Sequence, residues 1–178
     1  MAPKELNIDD YIRKVPDFPK KGVLFYDITS ILTSPKAFEY CIDCMADIYR
    51  GKHVDAVAAI EARGFVFAAP FAVKMGIPLI LVRKKGKLPG VTLGKSYALE
   101  YGTAAIEVHR ADVPVDKNVL LLDDLIATGG TLHASIHLLR EAGAKVTDVF
   151  GVVGLPALHY EKTLPDVTVT TLITYDSE

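Results

Sequence analysis

The stretch VLLLDDLIATGGTL, residues 119–132, runs from an apolar segment through two adjacent carboxylates into a turn rich in glycine and threonine. The apolar residues predict a buried strand, and the following LHASIHLLREAG has apolar residues at helical spacing, with Gly143 placed to end the helix. The turn therefore lies directly before a helix N-terminus, where backbone N–H groups are unpaired and the helix dipole is positive. The stretch predicts a strand, a phosphate-binding turn and a helix in succession.

Two aspartates, Asp123 and Asp124, stand beside this predicted phosphate site. Carboxylates would repel a phosphate unless they face another group, and sugar hydroxyls or a magnesium ion would both suit them. The turn lacks the Gly-Lys-Ser/Thr of the nucleotide P-loop and the Gly-x-Gly-x-x-Gly of dinucleotide sites. An alternative is that the aspartates only cap the strand. The complete pattern, in which Thr128 and Thr131 add hydroxyl donors, favours a binding site.

Strand-length apolar runs recur along the chain and alternate with helical patterns. The runs are residues 55–60, 78–83, 118–124, 146–155 and 167–175. The segment FVFAAPFAVKMG predicts a helix with Pro70 as a local fault and Gly76 as its end. Because most of the runs lack polar alternation, we expect an α/β fold with a mainly parallel twisted sheet flanked by helices. The first part, to about Ile31, is rich in turn formers and is expected to form a cap over the sheet.

Length and composition restrict the possible classes of protein. The chain has 178 residues, 50% of them hydrophobic, and predicts a single domain over residues 1–178. A net charge of −2 argues against general nucleic-acid binding. Cys41 and Cys44 could be a redox pair, half of a metal site or two helix residues, and the helical pattern around them favours the last. The lack of a targeting signal or a bilayer-length apolar run predicts a soluble, cytoplasmic protein without a membrane partner.

Two further segments carry cations. In EARGFVFAAP, Arg63 and Gly64 open a predicted helix after a strand, a position that suits an anion. In LVRKKGKLPGVTLGKSYALEYG, residues 81–102, four cations crowd within five positions, and the Gly/Pro-rich part that follows is expected to form neither helix nor strand. Such a run is usually a solvated loop or, less often, a nucleic-acid patch. Beside two phosphate-suited loops it favours a mobile lid that closes over a polyanion and excludes water.

Together these segments resemble a known family. VLLLDDLIATGGTL resembles the phosphoribosyl diphosphate signature of type I phosphoribosyltransferases. VPDFPKKGVLFYDITSIL, EARGFVFAAP, VRKKGKLPG and YALEYGTAAIEVH narrow the resemblance to the adenine phosphoribosyltransferases. The resemblance implies the type I phosphoribosyltransferase fold, with a small N-terminal hood that contributes to the base site and a flexible lid loop. It also implies that adenine and 5-phospho-α-D-ribose 1-diphosphate are joined to give AMP and diphosphate in purine salvage, with Mg²⁺ as cofactor and a homodimer as assembly.

The resemblance further implies which residues hold phosphoribosyl diphosphate. The turn would hold the 5′-phosphate through Ala127, Thr128, Gly129, Gly130 and Thr131. Asp123 and Asp124 would hold the ribose hydroxyls, and Mg²⁺ would be held mainly by the diphosphate, the ribose and water. The diphosphate would lie against Glu61, Ala62 and Arg63, whose first peptide bond is often cis in the family. The lid would add Arg83, Lys84, Lys87 and Tyr101.

The implied base site draws on the N-terminal cap. Adenine would lie between Phe25 and Leu155, with backbone groups of Leu24 and Tyr26 reading its edge. Glu100 would approach the purine when the lid closes, and would accept a proton from it or hold its N7 side as N9 attacks. Many family members carry Arg at the position of Tyr26.

The same resemblance bears on three alternative functions, which are a different purine substrate, orotate as the substrate, and sensing of phosphoribosyl diphosphate without catalysis. Relatives that use 6-oxopurines commonly carry an acid before the Thr-Gly of the phosphate turn, where this chain has Ala127, which favours adenine. Orotate enzymes share the double acid but lack the LEYG and PDFPKKGVLF segments. Regulators that sense phosphoribosyl diphosphate without catalysis generally add a DNA-binding module, for which 178 residues leave no room. The lid cations and Glu100 also favour an enzyme.

Overall fold

A mixed sheet covered by helices forms the centre of the chain, in a computed structural model that describes residues 6–98 and 103–176. The strands are β1 Arg13–Pro16, β2 Leu24–Asp27, β3 Ala56–Ile60, β4 Leu79–Lys84, β5 Thr92–Ala98, β6 Thr103–His109, β7 Val119–Ile126, β8 Asp148–Gly154 and β9 Thr168–Thr174. The α-helices are α1 Thr29–Leu32, α2 Pro35–Tyr49, α3 Arg63–Met75, α4 Gly130–Glu141 and α5 Tyr160–Thr163. Short 3-10 turns cover Ile8–Tyr11, Arg110–Asp112 and Pro156–Leu158.

The strands of the main sheet lie in the order β5-β6-β4-β3-β7-β8-β9. The pairs β4-β3, β3-β7, β7-β8 and β8-β9 are parallel, whereas β6 pairs antiparallel with both β4 and β5. The predicted α/β fold with a mainly parallel sheet is therefore confirmed. Because β3, β4, β7 and β8 point the same way, the segments that follow them meet at one edge of the sheet.

Strand β3 shows why these runs lack polar alternation. Ala56, Ala58 and Ile60 pack into the core cluster that contains the apolar face of α4. Val57 and Ala59 pack into the cluster that contains the apolar faces of α2 and α3. Every side chain of β3 is buried because helices cover both faces of the sheet, as the apolar runs predict.

The predicted helices are present, and local residues set their ends. Helix α3 contains Pro70 and ends before Gly76, which has a left-handed φ of 67°. Helix α4 ends at Glu141, and Gly143 follows the cap with a φ of 109°. Helix α2 buries Cys41, and burial raises the pKa of that thiol to about 12. Both cysteines have free thiols, in agreement with the helical interpretation of the C-x-x-C pair.

The expectation that the segment after the basic run forms neither helix nor strand is wrong. Thr92–Ala98 is strand β5, which pairs with β6 from Thr92 opposite His109 to Ala98 opposite Thr103. Leu93 and Tyr97 pack against the core cluster beneath, whereas Gly94 is exposed. The side chains of β5 therefore alternate between core and solvent, but Gly94 and Lys95 at the centre of the strand conceal this alternation in the sequence.

Strand β7 is longer than the apolar run predicts. It continues two residues past the predicted end at Asp124, to Ile126, so the acid pair lies inside the strand rather than at its end. The reason is that Leu125 and Ile126 pair with Val153 and Gly154 of β8. The acids are thereby held on a rigid element.

The N-terminal part forms a separate two-stranded sheet, β1 with β2. Its residues Ile8, Ile12, Tyr26 and Ile28 pack into the core cluster of α2 and α3. The cap is thereby joined to the main sheet by apolar contacts without being part of it. Within the described ranges no helix is long and apolar enough to cross a bilayer.

Candidate active site

The carboxyl ends of β3, β4 and β7 lie at one edge of the sheet, where a cavity of about 300 Å³ opens. Of the predicted site residues, those that line it are Glu61, Ala62, Arg63, Arg83, Lys84, Asp123, Asp124, Ala127 and Thr131. This is the location expected for a ligand in a parallel α/β sheet. The structure thus brings acidic and basic side chains from the carboxyl ends of three separate strands to one cavity.

The segment from the two aspartates to the start of α4, residues 123–131, is called the acid turn. Gly129 has a φ of 81°, and a Cβ at this position would lie 3.2 Å from Cγ of Leu164. Helix α4 begins at Gly130, so the N–H groups of its first turn have no partner within the helix. A second cavity of about 100 Å³ opens here and is lined by every residue from Ala127 to Thr131. The geometry suits a phosphate.

The acid pair of this turn is held close to one arginine. Asp124 is only 4% exposed, and its Oδ2 lies 2.6 Å from Nε of Arg63. This ion pair is the contact of a buried oxygen that accepts no hydrogen bond among the described residues. Asp123 Oδ1 accepts a hydrogen bond of 2.9 Å from the backbone N–H of Asp124. Burial first, and then the neighbouring Asp124 carboxylate, raise the pKa of Asp123 well above its usual range. The pair therefore favours a ligand that brings hydrogen-bond donors.

Helix α3 approaches the acid pair through a glycine. A Cβ at Gly64 would lie 3.2 Å from both Oδ1 of Asp123 and the carbonyl oxygen of Leu122. The absence of a side chain lets the start of α3 sit against β7, which places Arg63 beside Asp124.

The loop after β3 joins the acid turn to the basic segment. The Glu61–Ala62 peptide bond is cis, as the resemblance implies. Glu61 Oε1 accepts a hydrogen bond of 3.1 Å from Arg83 Nη2, and Oε2 accepts one of 2.9 Å from the backbone N–H of Lys84. Burial opposes ionisation of Glu61, but the Lys84 N–H and the Arg83 guanidinium lower its pKa. Glu61 is therefore an ionised anchor for the end of β4.

The residues at and after the end of β4, residues 83–88, are called the basic turn. Arg83 Nη1 donates a hydrogen bond of 2.9 Å to the carbonyl oxygen of Lys87, which closes the turn on itself. Lys84 lines the cavity. Within the described residues Lys85 and Lys87 do not line it, and both are exposed. Glu100 and Tyr101 lie outside the described residues.

A third cavity, of about 260 Å³, lies beside the N-terminal cap. It is lined by Lys20, Val23, Leu24, Tyr26, Leu155, Ala157 and Leu158. Three of the four predicted base-site residues are in this set, and the cavity wall is mainly apolar. The Phe25 ring is not among the described residues that line it and instead packs edge-on against Phe18, with ring centroids 5.1 Å apart.

Comparison with known proteins decides the family. Residues 27–176 match the phosphoribosyl transferase domain family. Adenine phosphoribosyltransferase of Treponema denticola is 66% identical over 98% of this chain and 92% of the relative. The chain belongs to the adenine phosphoribosyltransferase family. The enzyme of that name from Thermoanaerobacter pseudethanolicus has a crystal structure with 43% identity and a TM-score of 0.90, covering 94% of this chain and 98% of the other.

A second solved structure of this family includes ligands. The adenine phosphoribosyltransferase of Saccharomyces cerevisiae was crystallised with adenine and D-2,5-dideoxy-2,5-imino-altritol 1,6-bisphosphate. It is 31% identical, with a TM-score of 0.87, and the match covers 93% of this chain and 96% of the other.

Two side chains near the cavity of this adenine phosphoribosyltransferase family member, those of Tyr97 and Glu107, were not predicted from the sequence. The Tyr97 hydroxyl lies 3.2 Å from Thr131 Oγ1 and so connects β5 to the acid turn. Glu107 is only 5% exposed and hydrogen-bonds the basic turn through the N–H groups of Lys87 and Leu88. A charged residue inside the apolar pattern of AAIEVH is the one signal that could have identified Glu107.

Proposed function

We propose that this chain transfers the 5-phosphoribosyl group of 5-phospho-α-D-ribose 1-diphosphate to N9 of adenine, giving AMP and diphosphate in purine salvage. The observation that carries the proposal is the shared cavity of the acid turn, the loop after β3 and the start of the basic turn. One end suits a sugar phosphate and the other an anionic leaving group. Membership of the adenine phosphoribosyltransferase family supports adenine as the base.

The acid turn is proposed to bind ribose 5-phosphate. Residues 127–131 would receive the 5′-phosphate, since they line a cavity at the unpaired N–H groups of α4. Asp123 and Asp124 would accept hydrogen bonds from the ribose hydroxyls, since both residues line the cavity. One rigid strand-to-helix junction would then fix the distance between sugar and phosphate contacts.

The opposite side of the cavity is proposed to bind the diphosphate. This side of the cavity is lined by Glu61, Ala62, Arg63, Arg83 and Lys84. Lys87 and Tyr101 would join them when the lid closes, as the family resemblance implies. Arg63 remains 45% exposed beside Asp124, so its guanidinium can also reach a ligand. Cations in these positions stabilise the negative charge that develops on the departing diphosphate.

Adenine is proposed to occupy the cavity at the cap, against Leu155, with the backbone at Leu24 and Tyr26 reading its edge. Phe25 would cover the other face of the base once its ring turns from Phe18 towards the cavity. A mainly apolar cavity of about 260 Å³ suits a flat purine. Glu100 would act as catalytic residue by accepting a proton from the base as N9 attacks. Breaking the bond to diphosphate leaves an oxocarbenium-like ribose, which exclusion of water by the lid would protect.

Mg²⁺ is proposed as the cofactor. The acid turn offers hard carboxylate oxygens beside the cavity, and Asp124 Oδ2 has an ion pair with Arg63 but accepts no hydrogen bond in the described residues, so the donor chemistry fits this ion. No group of three or more metal-binding side chains occurs within residues 6–98 and 103–176. Asp123 and Asp124 would therefore assist an ion held mainly by the diphosphate, the ribose and water. The bound ion would neutralise charge on the leaving diphosphate.

We also propose a homodimer, in the cytoplasm. Val73 on α3 is 84% exposed and Val66 on the same helix is 38% exposed, which gives an apolar surface for a second copy. The free thiols of Cys41 and Cys44 suit a reducing compartment. Light scattering on a sizing column measures the oligomeric state, and a monomer at micromolar concentration would contradict the proposed assembly.

The proposal is tested by incubating the protein with Mg²⁺, phosphoribosyl diphosphate and one base at a time, and measuring nucleotide by chromatography. We expect AMP from adenine and little product from hypoxanthine or guanine, because Ala127 replaces the acid that suits 6-oxopurines. Product from hypoxanthine alone would overturn the choice of base. Binding of phosphoribosyl diphosphate without any turnover would instead indicate a sensor.

A further inference from the structure

We propose that Glu107 is a positioning residue that holds the basic turn in the shape in which its cations meet the diphosphate. Glu107 lies on β6, opposite Arg83 of β4 on one side and Gly94 of β5 on the other. The inference rests on the proposed function, because it concerns the diphosphate half of that site.

The contacts of Glu107 converge on the end of the basic turn. Its Oε1 accepts hydrogen bonds of 2.9 Å from the backbone N–H of Lys87 and 2.8 Å from that of Leu88. Its Oε2 accepts one of 3.2 Å from the hydroxyl of Thr92, at the start of β5. One carboxylate therefore fixes the last residues of the turn and the first residue of the following strand.

Glu107 is ionised despite its burial. The N–H of Leu88 makes the largest contribution, and with Thr92 and Lys87 it outweighs burial and lowers the pKa of Glu107. Hydrogen bonds to a charged acceptor are stronger than neutral ones, so this carboxylate is a firm anchor at neutral pH. Replacing it by an apolar side chain would leave two backbone N–H groups without their acceptor.

The turn needs such an anchor because it concentrates like charges. Arg83, Lys84, Lys85 and Lys87 lie within five positions, and their repulsion favours an opened turn. Glu61 fixes the beginning of the turn through Arg83 and Lys84. Glu107 fixes its end. The two carboxylates together hold the cations close to one another before any anion arrives, which lowers the reorganisation needed for binding.

Glu107 acts through the turn and not through the ligand. It does not line the cavity among the described residues, whereas its neighbour Ile106 does. A loss of its carboxylate should therefore affect phosphoribosyl diphosphate and leave adenine unaffected. A purely structural role would instead reduce the amount of active protein and leave both KM values unchanged.

The test compares Glu107→Leu with Glu107→Gln in the full chain. We expect Glu107→Leu to raise KM for phosphoribosyl diphosphate about tenfold or more, since two hydrogen bonds to a charged group are lost. KM for adenine should stay within about twofold. Glu107→Gln should stay within about threefold of wild type, because its amide oxygen can still accept from Lys87 and Leu88. Thr92→Val removes one contact and should give a smaller rise. Glu141→Leu, which changes an exposed carboxylate on α4, is the control.

A second measurement does not depend on turnover. Trypsin cleaves after lysine, and mass spectrometry can follow cleavage within residues 83–88 of the intact chain. We expect faster cleavage there in Glu107→Leu than in wild type or Glu107→Gln. Unchanged cleavage, or a fall in kcat with both KM values unchanged, would overturn the inference. Absence of AMP formation by the wild type would overturn the proposed function, while the cleavage result would still decide whether Glu107 holds the turn.

Discussion

The acid turn and the basic turn face the same cavity but hold their charges in opposite ways. In the acid turn, burial and a neighbouring carboxylate raise the pKa of Asp123. At the basic turn, burial opposes ionisation of Glu61, but N–H donors from the turn lower the pKa values of Glu61 and Glu107, the two carboxylates that hold it. Ionised carboxylates with several N–H donors stabilise the folded chain, whereas the burial of Asp123 beside a second carboxylate disfavours its charge until a ligand brings further donors. We therefore expect the acid turn to bind the ligand and Glu61 and Glu107 to shape the basic turn.

Replacing Asp123 with Asn tests the binding half and has the largest expected effect. We expect kcat/KM for phosphoribosyl diphosphate to fall about 100-fold, because ribose hydroxyls lose a charged acceptor worth about 1.5–3 kcal/mol per hydrogen bond. Steady-state kinetics with adenine held constant measures the change. Asp112→Asn, an exposed carboxylate outside the cavity, should leave activity within twofold of wild type and serves as the control.

The same substitution should make the protein more stable at neutral pH. The folded-state pKa of Asp123 lies above its unfolded value, so between the two the folded state binds more protons and stability falls as pH rises. Asn carries no charge and avoids this loss. Thermal unfolding should show a higher Tm for Asp123→Asn than for wild type at pH 7.5, with the difference shrinking as the pH approaches about 4. A lower Tm for Asp123→Asn than for wild type at pH 7.5 would show that the Asp123 carboxylate stabilises the fold, as we infer for Glu61 and Glu107.

Two adjacent lysines of the basic turn test whether position or only charge matters there. Lys84 lines the cavity and Lys85 does not, although both are exposed and carry the same charge. We expect Lys84→Gln to raise KM for phosphoribosyl diphosphate about tenfold, which corresponds to the loss of one charge-assisted contact. Lys85→Gln should change it less than about twofold, because exposed charges are screened by salt. Equal effects from both would show that the turn acts only through its total charge.

Much of the fold follows from local pattern. Apolar runs predict the parallel strands, and Gly76 and Gly143 lie close to the ends of their helices because a left-handed residue is needed there. Strand β5 escapes prediction because its stability depends on pairing with β6, a partner that comes later in the chain. Pairing with β8 likewise extends β7 beyond its apolar run.

The residues of the candidate site also fall into two groups, those that stand in sequence motifs and those that are placed by strand pairing. Residues such as Asp123, Arg63 and Lys84 stand in motifs, and the structure brings them to one cavity. Glu107 stands in no motif, because its role comes from the register of β6 beside β4. The stack between Tyr26 and Tyr175 is also invisible in the sequence, since 149 positions separate residues whose ring centroids lie 3.9 Å apart. Sequence reasoning finds local chemistry, whereas tertiary pairing decides which side chains support it.

The stack between Tyr26 and Tyr175 lies at the proposed base site and has a moderate expected effect. Tyr175 packs on Tyr26 of the cap at an interplanar angle of 14° and donates a hydrogen bond to Asp9. Tyr175→Leu should raise KM for adenine about threefold, because an aromatic pair contributes about 0.5–1.5 kcal/mol beyond area burial. KM for phosphoribosyl diphosphate should not change. Tyr175→Phe keeps the ring and should restore most of the loss, so equal defects in both variants would assign the effect to the hydroxyl alone.

The cysteine pair lies outside both turns and has the smallest expected effect. Burial raises the pKa of Cys41 to about 12, so little thiolate forms at pH 8, and burial first of all raises the pKa of Cys44 as well. A thiol reagent should label the native protein slowly. Cys41→Ala or Cys44→Ser should retain activity within about twofold, since neither side chain lines the cavity between the acid turn and the basic turn among the described residues. Cys44 is the more accessible of the two and provides the internal reference for labelling. Rapid labelling with loss of activity would mean that a redox-sensitive helix, and not only the two charged turns, controls the site.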